Sequence, residues 1–207
     1  MGTPRLNNRP DQILREAARL FAAHGFQATS IRSIAEACSV SEAALYRHFD
    51  GKEQIYEAVI AWKAGQHDIA GHLTALRGAS DMEHVLRGVA RHILGFLESD
   101  PELLALKFGS CVESGPAAAV LFREVRLPYI DFLKGEIEAR VATGELRPVD
   151  AFITSRCFVG MVMDCALSAN VWNRAAGLEF DAESVIANNV PIFSRGLQSE
   201  RKSAARR

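Results

Sequence analysis

Residues 30–52, SIRSIAEACSVSEAALYRHFDGK, read as two short helices joined by a three-residue turn. Ile31, Ile34, Ala35 and Cys38 recur at helical spacing and make one apolar face. Cys38-Ser39-Val40 breaks that period. Ser41 can then cap a second helix by accepting hydrogen bonds from its first-turn N–H groups. Leu45 and Phe49 give this helix an inward side, and Ala43, Ala44, Tyr46, Arg47 and His48 point largely elsewhere. A short helix with an outer side of small, aromatic and basic residues suits a major groove, while the helix before it braces against the backbone.

Outward from the motif the chain stays helical. Asp11–His24 carries Ile13, Leu14, Ala17, Ala18, Leu20 and Phe21 on one side, and Gly25 ends it with a left-handed residue. Phe26 should return to the core, and Thr29 should cap the next helix. Asp50 and Glu53 have the spacing of a capping box, opening a long helix to about His72 with Trp62 and Ile69 on its apolar side. A stripe from Met82 to Leu97 marks another helix, and Asp100-Pro101 starts the one after it. Gly115-Pro116 precedes a long helix to about Thr143, bent at Pro128 and stopped by Gly144. Pro148 and Asp150 introduce a helix to about Asn173, and the last runs from Asp181 to about Gln198, interrupted by Pro191. There is no β-hairpin signal and no internal repeat.

The chain has 207 residues, is 48% hydrophobic and 24% charged, and carries a formal net charge of −1. That is an ordinary globular balance that does not by itself point to nucleic acid. The basic groups matter by placement: Arg5, Arg9, Arg32, Arg47 and Lys52 lie on the expected DNA side, opposed there by Glu42. The first residues lack an apolar signal core, and the apolar run Cys157–Leu167 holds Asp164 and is too short to span a bilayer, so the expected location is the cytoplasm, away from the membrane. Cys38, Cys111, Cys157 and Cys165 show no CxxC spacing and read as reduced, mostly buried thiols. His67, His72, His84 and His92 show no metal-ligand pattern, and no Walker, GxGxxG or GxSxG sequence is present, so no cofactor is expected.

The run Phe21, Gly25-Phe26, Thr29-Ser30-Ile31, Ile34-Ala35, Cys38-Ser39-Val40-Ser41, Leu45-Tyr46-Arg47-His48-Phe49, Lys52-Glu53 resembles the DNA-binding domain of TetR (tetracycline-repressor-like) transcriptional regulators. The family usually has Ala-Gly-Val-Ser at the turn; here Cys38 and Ser39 stand for the Ala and the Gly, which puts a non-Gly residue where the turn calls for positive φ. PYIDFLKGEIEARVATGELRPVD, from Pro128, also looks like the family's C-terminal region, more loosely. The resemblance implies an all-α protein: a flexible arm (1–10), a three-helix helix-turn-helix domain (11–56), an effector-binding and dimerising helical bundle (57–200) and a disordered basic tail (201–207). It implies a homodimer built on the last two helices, operator DNA as partner and a small-molecule effector. Tyr46, His48 and Lys52 match phosphate-contact positions of the family. Ser30, Arg32 and Ser41 complete the DNA-binding set, with Arg32 able to reach a phosphate or a guanine.

The remaining readings come from side-chain chemistry. Glu42, Ala43, Ala44 and Arg47 are candidate base readers: Arg clamps guanine O6 and N7, Glu accepts from cytosine N4, and Ala touches a thymine methyl. Glu42 could equally serve its helix dipole. Trp62, Phe108, Cys111, Val125, Tyr129 and Met161 are expected to line a mainly apolar effector pocket, with Glu113 and Asp164 as polar candidates. Asp164 binds ligand, pairs across a dimer, or only looks buried. The expected function is a repressor released by its effector. An activator shares every one of these residues, and a helical enzyme using Cys111 or Cys165 is the reading from another class.

Overall fold

The computed structural model describes residues 10–112, 116–170 and 181–199, with residues 107–112, 116–117 and 169–170 described by backbone alone. The expected arm, Glu113, the end of the penultimate helix beyond Asn170 and the basic tail lie outside the described residues. Two compact units emerge. One takes the residues up to Gln66 together with Pro101–Glu124, and the other takes His67–Asp100 together with the residues from Val125 onward.

In the first unit, α1 (Pro10–Ala28) buries Ile13, Leu14, Ala17, Ala18, Leu20 and Phe21. Gly25, at φ 80°, ψ 168°, breaks the helical path inside that span, as a residue without Cβ can. The break returns Phe26 to the core: its ring stacks on Phe21 at 5.8 Å, and both rings meet Tyr56 edge-on at 5.1 and 5.2 Å. Thr29 does not cap α2 (Ile31–Cys38). It is buried, and its hydroxyl donates to the Gly25 carbonyl at 2.8 Å, satisfying an acceptor the break leaves open. Ser30, one residue on and exposed, is the cap instead, in a reciprocal pair with Ser33. α3 (Glu42–Leu45) follows, then α4 (Lys52–Gly65). The Asp50–Glu53 box does not form: Gly51 occupies the cap position, and the Asp50 N–H donates to Gln54 Oε1 at 2.6 Å. α7 (Pro101–Val112) packs on α1, and α8 (Pro116–Leu121) packs on α4 and α7.

The single helix expected to His72 is therefore two. α4 ends at Gly65, and Asp68, in the left-handed region at φ 42°, ψ 48°, caps α5 (Ile69–Ala75) by accepting from Gly71 N at 3.1 Å. Gly71 leaves the capping carboxylate its place, since a Cβ would stand 2.2 Å from Asp68 Oδ2. The second unit goes on through α6 (Met82–Ser99), whose buried stripe runs from Met82 to Leu97 as expected. The bend anticipated at Pro128 takes the form of a π-helical turn, Phe122–Arg126, just before α9 (Leu127–Ala142). Proline has no N–H to close the normal ladder, so the widened turn sits immediately upstream. Gly144, at φ 73°, ends the α9 segment. Residues 145–147 run beside 197–199 with an antiparallel bridge between Leu146 and Gln198.

α10 (Ala151–Asn170) packs on α6, α9 and α11 (Ala182–Leu197). Asp150 and Asp181 cap the two, accepting from Ile153 N at 2.8 Å and Ser184 N at 2.7 Å. α11 continues through Pro191 rather than being interrupted. By length and composition Ala151–Ser168, with mean hydropathy 1.3, could cross a bilayer, so the apolar stretch is longer than the run read from sequence. Its packing against three helices of its own unit accounts for much of that apolarity. Phe152 (42% exposed) and Ile153 (58%) on α10, and Ile192 (63%) on α11, remain open.

Candidate nucleic-acid interface

The turn between α2 and α3 sets the geometry. Ser39 adopts φ 56°, ψ 41°, the left-handed conformation expected where the family pattern has glycine. The Val40 N–H donates to the Ala35 carbonyl at 3.0 Å and the Ser39 N–H to Glu36 at 3.1 Å, which is a Schellman closure of α2. Ser41 then accepts from Ala44 N at 3.2 Å and starts α3. Leu45 and Ala44 are buried, and Glu42, Ala43, Tyr46, Arg47 and His48 are exposed.

Ala44 therefore departs from the expected base-reading set. On a helix this short, the position beside Leu45 belongs to the inward face, and its methyl packs in the core. Tyr46, 54% exposed, puts an aromatic ring and a phenol into solvent, with Arg47 and His48 next to it. No hydrophobic reason keeps Tyr46 there, and a phenol placed so can donate to a phosphate oxygen.

The flanking groups are already engaged. Arg32 Nε donates to Glu36 Oε1 at 2.9 Å on an exposed face, and that bond, with the charges of Glu36 and Glu42, raises an already high guanidinium pKa. Ser30 accepts from Ser33 N at 3.0 Å, so its oxygen serves the helix. Lys52 Nζ donates to the carbonyls of Phe26 at 2.9 Å and Gln27 at 3.3 Å, and lies 4.4 Å from the Phe26 ring centre. It closes off carbonyls at the end of α1 while keeping its charge on this unit's surface. The reading of single residues missed these partners. The i,i+4 spacing of Arg32 and Glu36 was a usable signal, whereas the Lys52 contact, 26 residues away in sequence, was not.

The expected effector residues are divided between the two units. Trp62 belongs to the first unit, and Val125, Tyr129 and Met161 to the second. Val125 and Tyr129 are core side chains, with the Tyr129 hydroxyl bonded to His92 at 2.6 Å. Asp164 is exposed, because the turn of α10 carries it off the packed face. The side chains of Phe108, Cys111 and Glu113 lie outside the described residues. Of the cysteines, Cys38 is buried, Cys165 half-buried and Cys157 exposed, against the expectation of mostly buried thiols. Burial first, then the charge of Asp164, pushes the Cys165 thiol up, away from the thiolate a nucleophile needs. Between α10 and α11, Cys165, Ser184, Val185, Asn188 and Asn189 line an open groove of about 300 Å³.

Residues 13–59 match the family described as bacterial regulatory proteins, tetR family. The nucleoid occlusion factor SlmA of Aliivibrio fischeri is 27% identical over 169 residues, covering 78% of this chain and 84% of that protein. The HTH-type transcriptional repressor KstR2 of Mycolicibacterium smegmatis is 42% identical over 53 residues, 26% of each chain. Among solved structures, the regulator FadR from Bacillus subtilis in complex with stearoyl-CoA shares the fold at a TM-score of 0.74, with 18% identity over 92% of this chain and 100% of that one. Tyr46, Arg47 and His48, exposed in the turn that follows α3, lie inside the matched segment, and residues 13–59 belong to the TetR family of bacterial regulatory proteins, a DNA-binding segment.

Proposed function

We propose that this regulator is a repressor that holds a palindromic operator as a homodimer and is released by a small, mainly apolar effector. The observation that carries the reading is that Glu42 and Ala43 on α3, and Tyr46, Arg47 and His48 in the turn after it, are all exposed, with Arg32 and Lys52 on the flanking helices. In this reading Arg47, Glu42 and Ala43 address bases, and Tyr46, His48, Lys52, Ser41, Ser30 and Arg32 address the backbone. Arg32 must exchange Glu36 for a phosphate. The open apolar side chains Phe152, Ile153 and Ile192 on α10 and α11 supply the surface on which a second copy packs, giving two reading heads on two half-sites. Such a protein works in the cytoplasm.

For the effector, the relative in shape crystallised with stearoyl-CoA makes acyl-CoA thioesters the first class to try. The test is a selection of bound duplexes from a random pool, followed by titration of the complex with acyl-CoAs of increasing chain length. A palindrome released by one chain-length range supports the reading. A selected duplex that no acyl-CoA displaces removes that effector class. Transcription from a promoter carrying the selected duplex, with and without the protein, decides between repressor and activator.

A further inference from the structure

The chain passes between its two units at three places: Gln66/His67, Asp100/Pro101 and Glu124/Val125. Within the second unit, side chains next to all three meet in one buried network. His67, the first residue of that unit, places Nε2 at 3.2 Å from Oδ2 of Asp100, the residue before the second crossing. Both side chains are largely buried, at 15% and 9% exposed. The His67 carbonyl meets His92 Nε2 at 3.0 Å, and His92 Nδ1 meets the hydroxyl of Tyr129, four residues past the third crossing, at 2.6 Å. The His92 imidazole also lies flat on His72, with centroids 4.1 Å apart and planes at 11°. His72 Nε2 is in turn 3.1 Å from the Gly88 carbonyl.

The partners fix the proton positions. A carbonyl only accepts, so His92 Nε2 carries the hydrogen, leaving Nδ1 to accept from Tyr129. A proton added at Nδ1 reverses that bond: the ring becomes a donor, and the fully buried Tyr129 hydroxyl must turn its own hydrogen elsewhere. The cation so formed sits against His72 from α5, with His67 and Asp68 from the junction before it and Tyr129 from α9 around it.

We propose that the His67–Asp100–His92–Tyr129 network is a proton-sensitive latch, closed when His92 is neutral, which fixes the three chain crossings in the second unit and opens on protonation of His92. Burial, and next the neighbouring His72 charge, hold the His92 imidazole below its ordinary value. The neutral ring is therefore favoured in the folded state. The latch contributes in full above the ordinary histidine value of about 6.5, and its contribution falls as pH drops below that value. Opening loosens the three points to which the reading head is joined. A head on loosened junctions gives up more freedom when it binds, and so binds DNA more weakly. This last step rests on the operator-binding reading above.

The test uses the full chain at pH 7.5 and 5.5. Amide exchange, corrected for the intrinsic effect of pH, is followed over 64–70, 98–103 and 124–130. In the wild type, protection there should drop about tenfold on acidification. In His92→Gln, which donates and accepts without titrating, the drop should vanish. Tyr129→Phe, which removes the donor that favours neutral His92, should move the midpoint of the drop to higher pH. Affinity for a duplex selected at pH 7.5 is measured alongside. The wild type should lose affinity about tenfold more than His92→Gln over the same range. The two proteins differ only at residue 92, so the comparison at each pH isolates that side chain. Identical pH courses in wild type and His92→Gln would overturn the latch, as would an unmoved midpoint in Tyr129→Phe. A protein that binds no duplex at either pH refutes the operator reading, and the exchange arm still decides the latch.

Discussion

At the scale of the residue, the reading head separates side chains by what already holds them. Arg47 is exposed, while Lys52 closes carbonyls of α1. Arg47→Ala should cost about 1–3 kcal/mol of operator binding and relax preference at one base position. Lys52→Ala should weaken all duplexes alike, flatten the salt dependence and lower the melting temperature of the free protein, which Arg47→Ala should leave alone. Titrations at several salt concentrations together with thermal unfolding separate the two. Ser39 gives a second outcome at this scale. A side chain in the left-handed region costs roughly 1–2 kcal/mol. Ser39→Gly should therefore stabilise by up to about 1 kcal/mol after the extra freedom of unfolded glycine is subtracted. Ser39→Val should destabilise, and denaturant unfolding reads both. A Ser39→Gly protein less stable than wild type would mean that the hydroxyl matters more than the backbone.

At the scale of the element, most helices were legible because their apolar period is clean, as in the Met82–Leu97 stripe, and because capping aspartates mark starts at Asp81, Asp150 and Asp181. The break between α4 and α5 was not. Trp62, Ile69 and Leu73 sustain a helical period across it, and period reports burial rather than continuity. The signal lay in Asp68 followed three residues later by Gly71, a cap whose oxygen occupies the space a Cβ would take. Gly71→Ala should push that carboxylate away and cost about 0.5–2 kcal/mol, the worth of a cap. Asp68→Gly, which keeps the left-handed backbone and removes the cap, should cost less in the Gly71→Ala background than alone. Additive losses in that cycle would show that the alanine methyl acts elsewhere. The position of α3 was legible because the segment follows a family pattern. The surroundings of Tyr129 were not, since a list of apolar faces does not say which of them meet, and its hydroxyl bonds His92 in the core.

At the scale of the whole molecule, the proposed homodimer rests on the open apolar residues of α10 and α11. Ile153→Asp and Ile192→Asp change side chains that are 58% and 63% exposed in the protomer, so each should leave its helix content intact. Each should shift the sedimentation profile from dimer toward monomer and reduce operator affinity at least tenfold, since one half-site then binds without its mate. Variants that stay dimeric would place the two-fold contact on other residues. The first unit has a further property that follows from its discontinuity in sequence. α7 and α8, which pack on α1 and α4, are encoded after the whole of residues 67–100. A ribosome that has finished Gln66 must add residues 67–124 before the reading head has all its helices, roughly 3–12 s at ordinary elongation rates. Until then the nascent head waits with part of α1 uncovered. A fragment ending at Gln66 should carry the same defect permanently, melting below the full chain and exchanging its α1 amides faster, even though every DNA-facing residue named here is present in it.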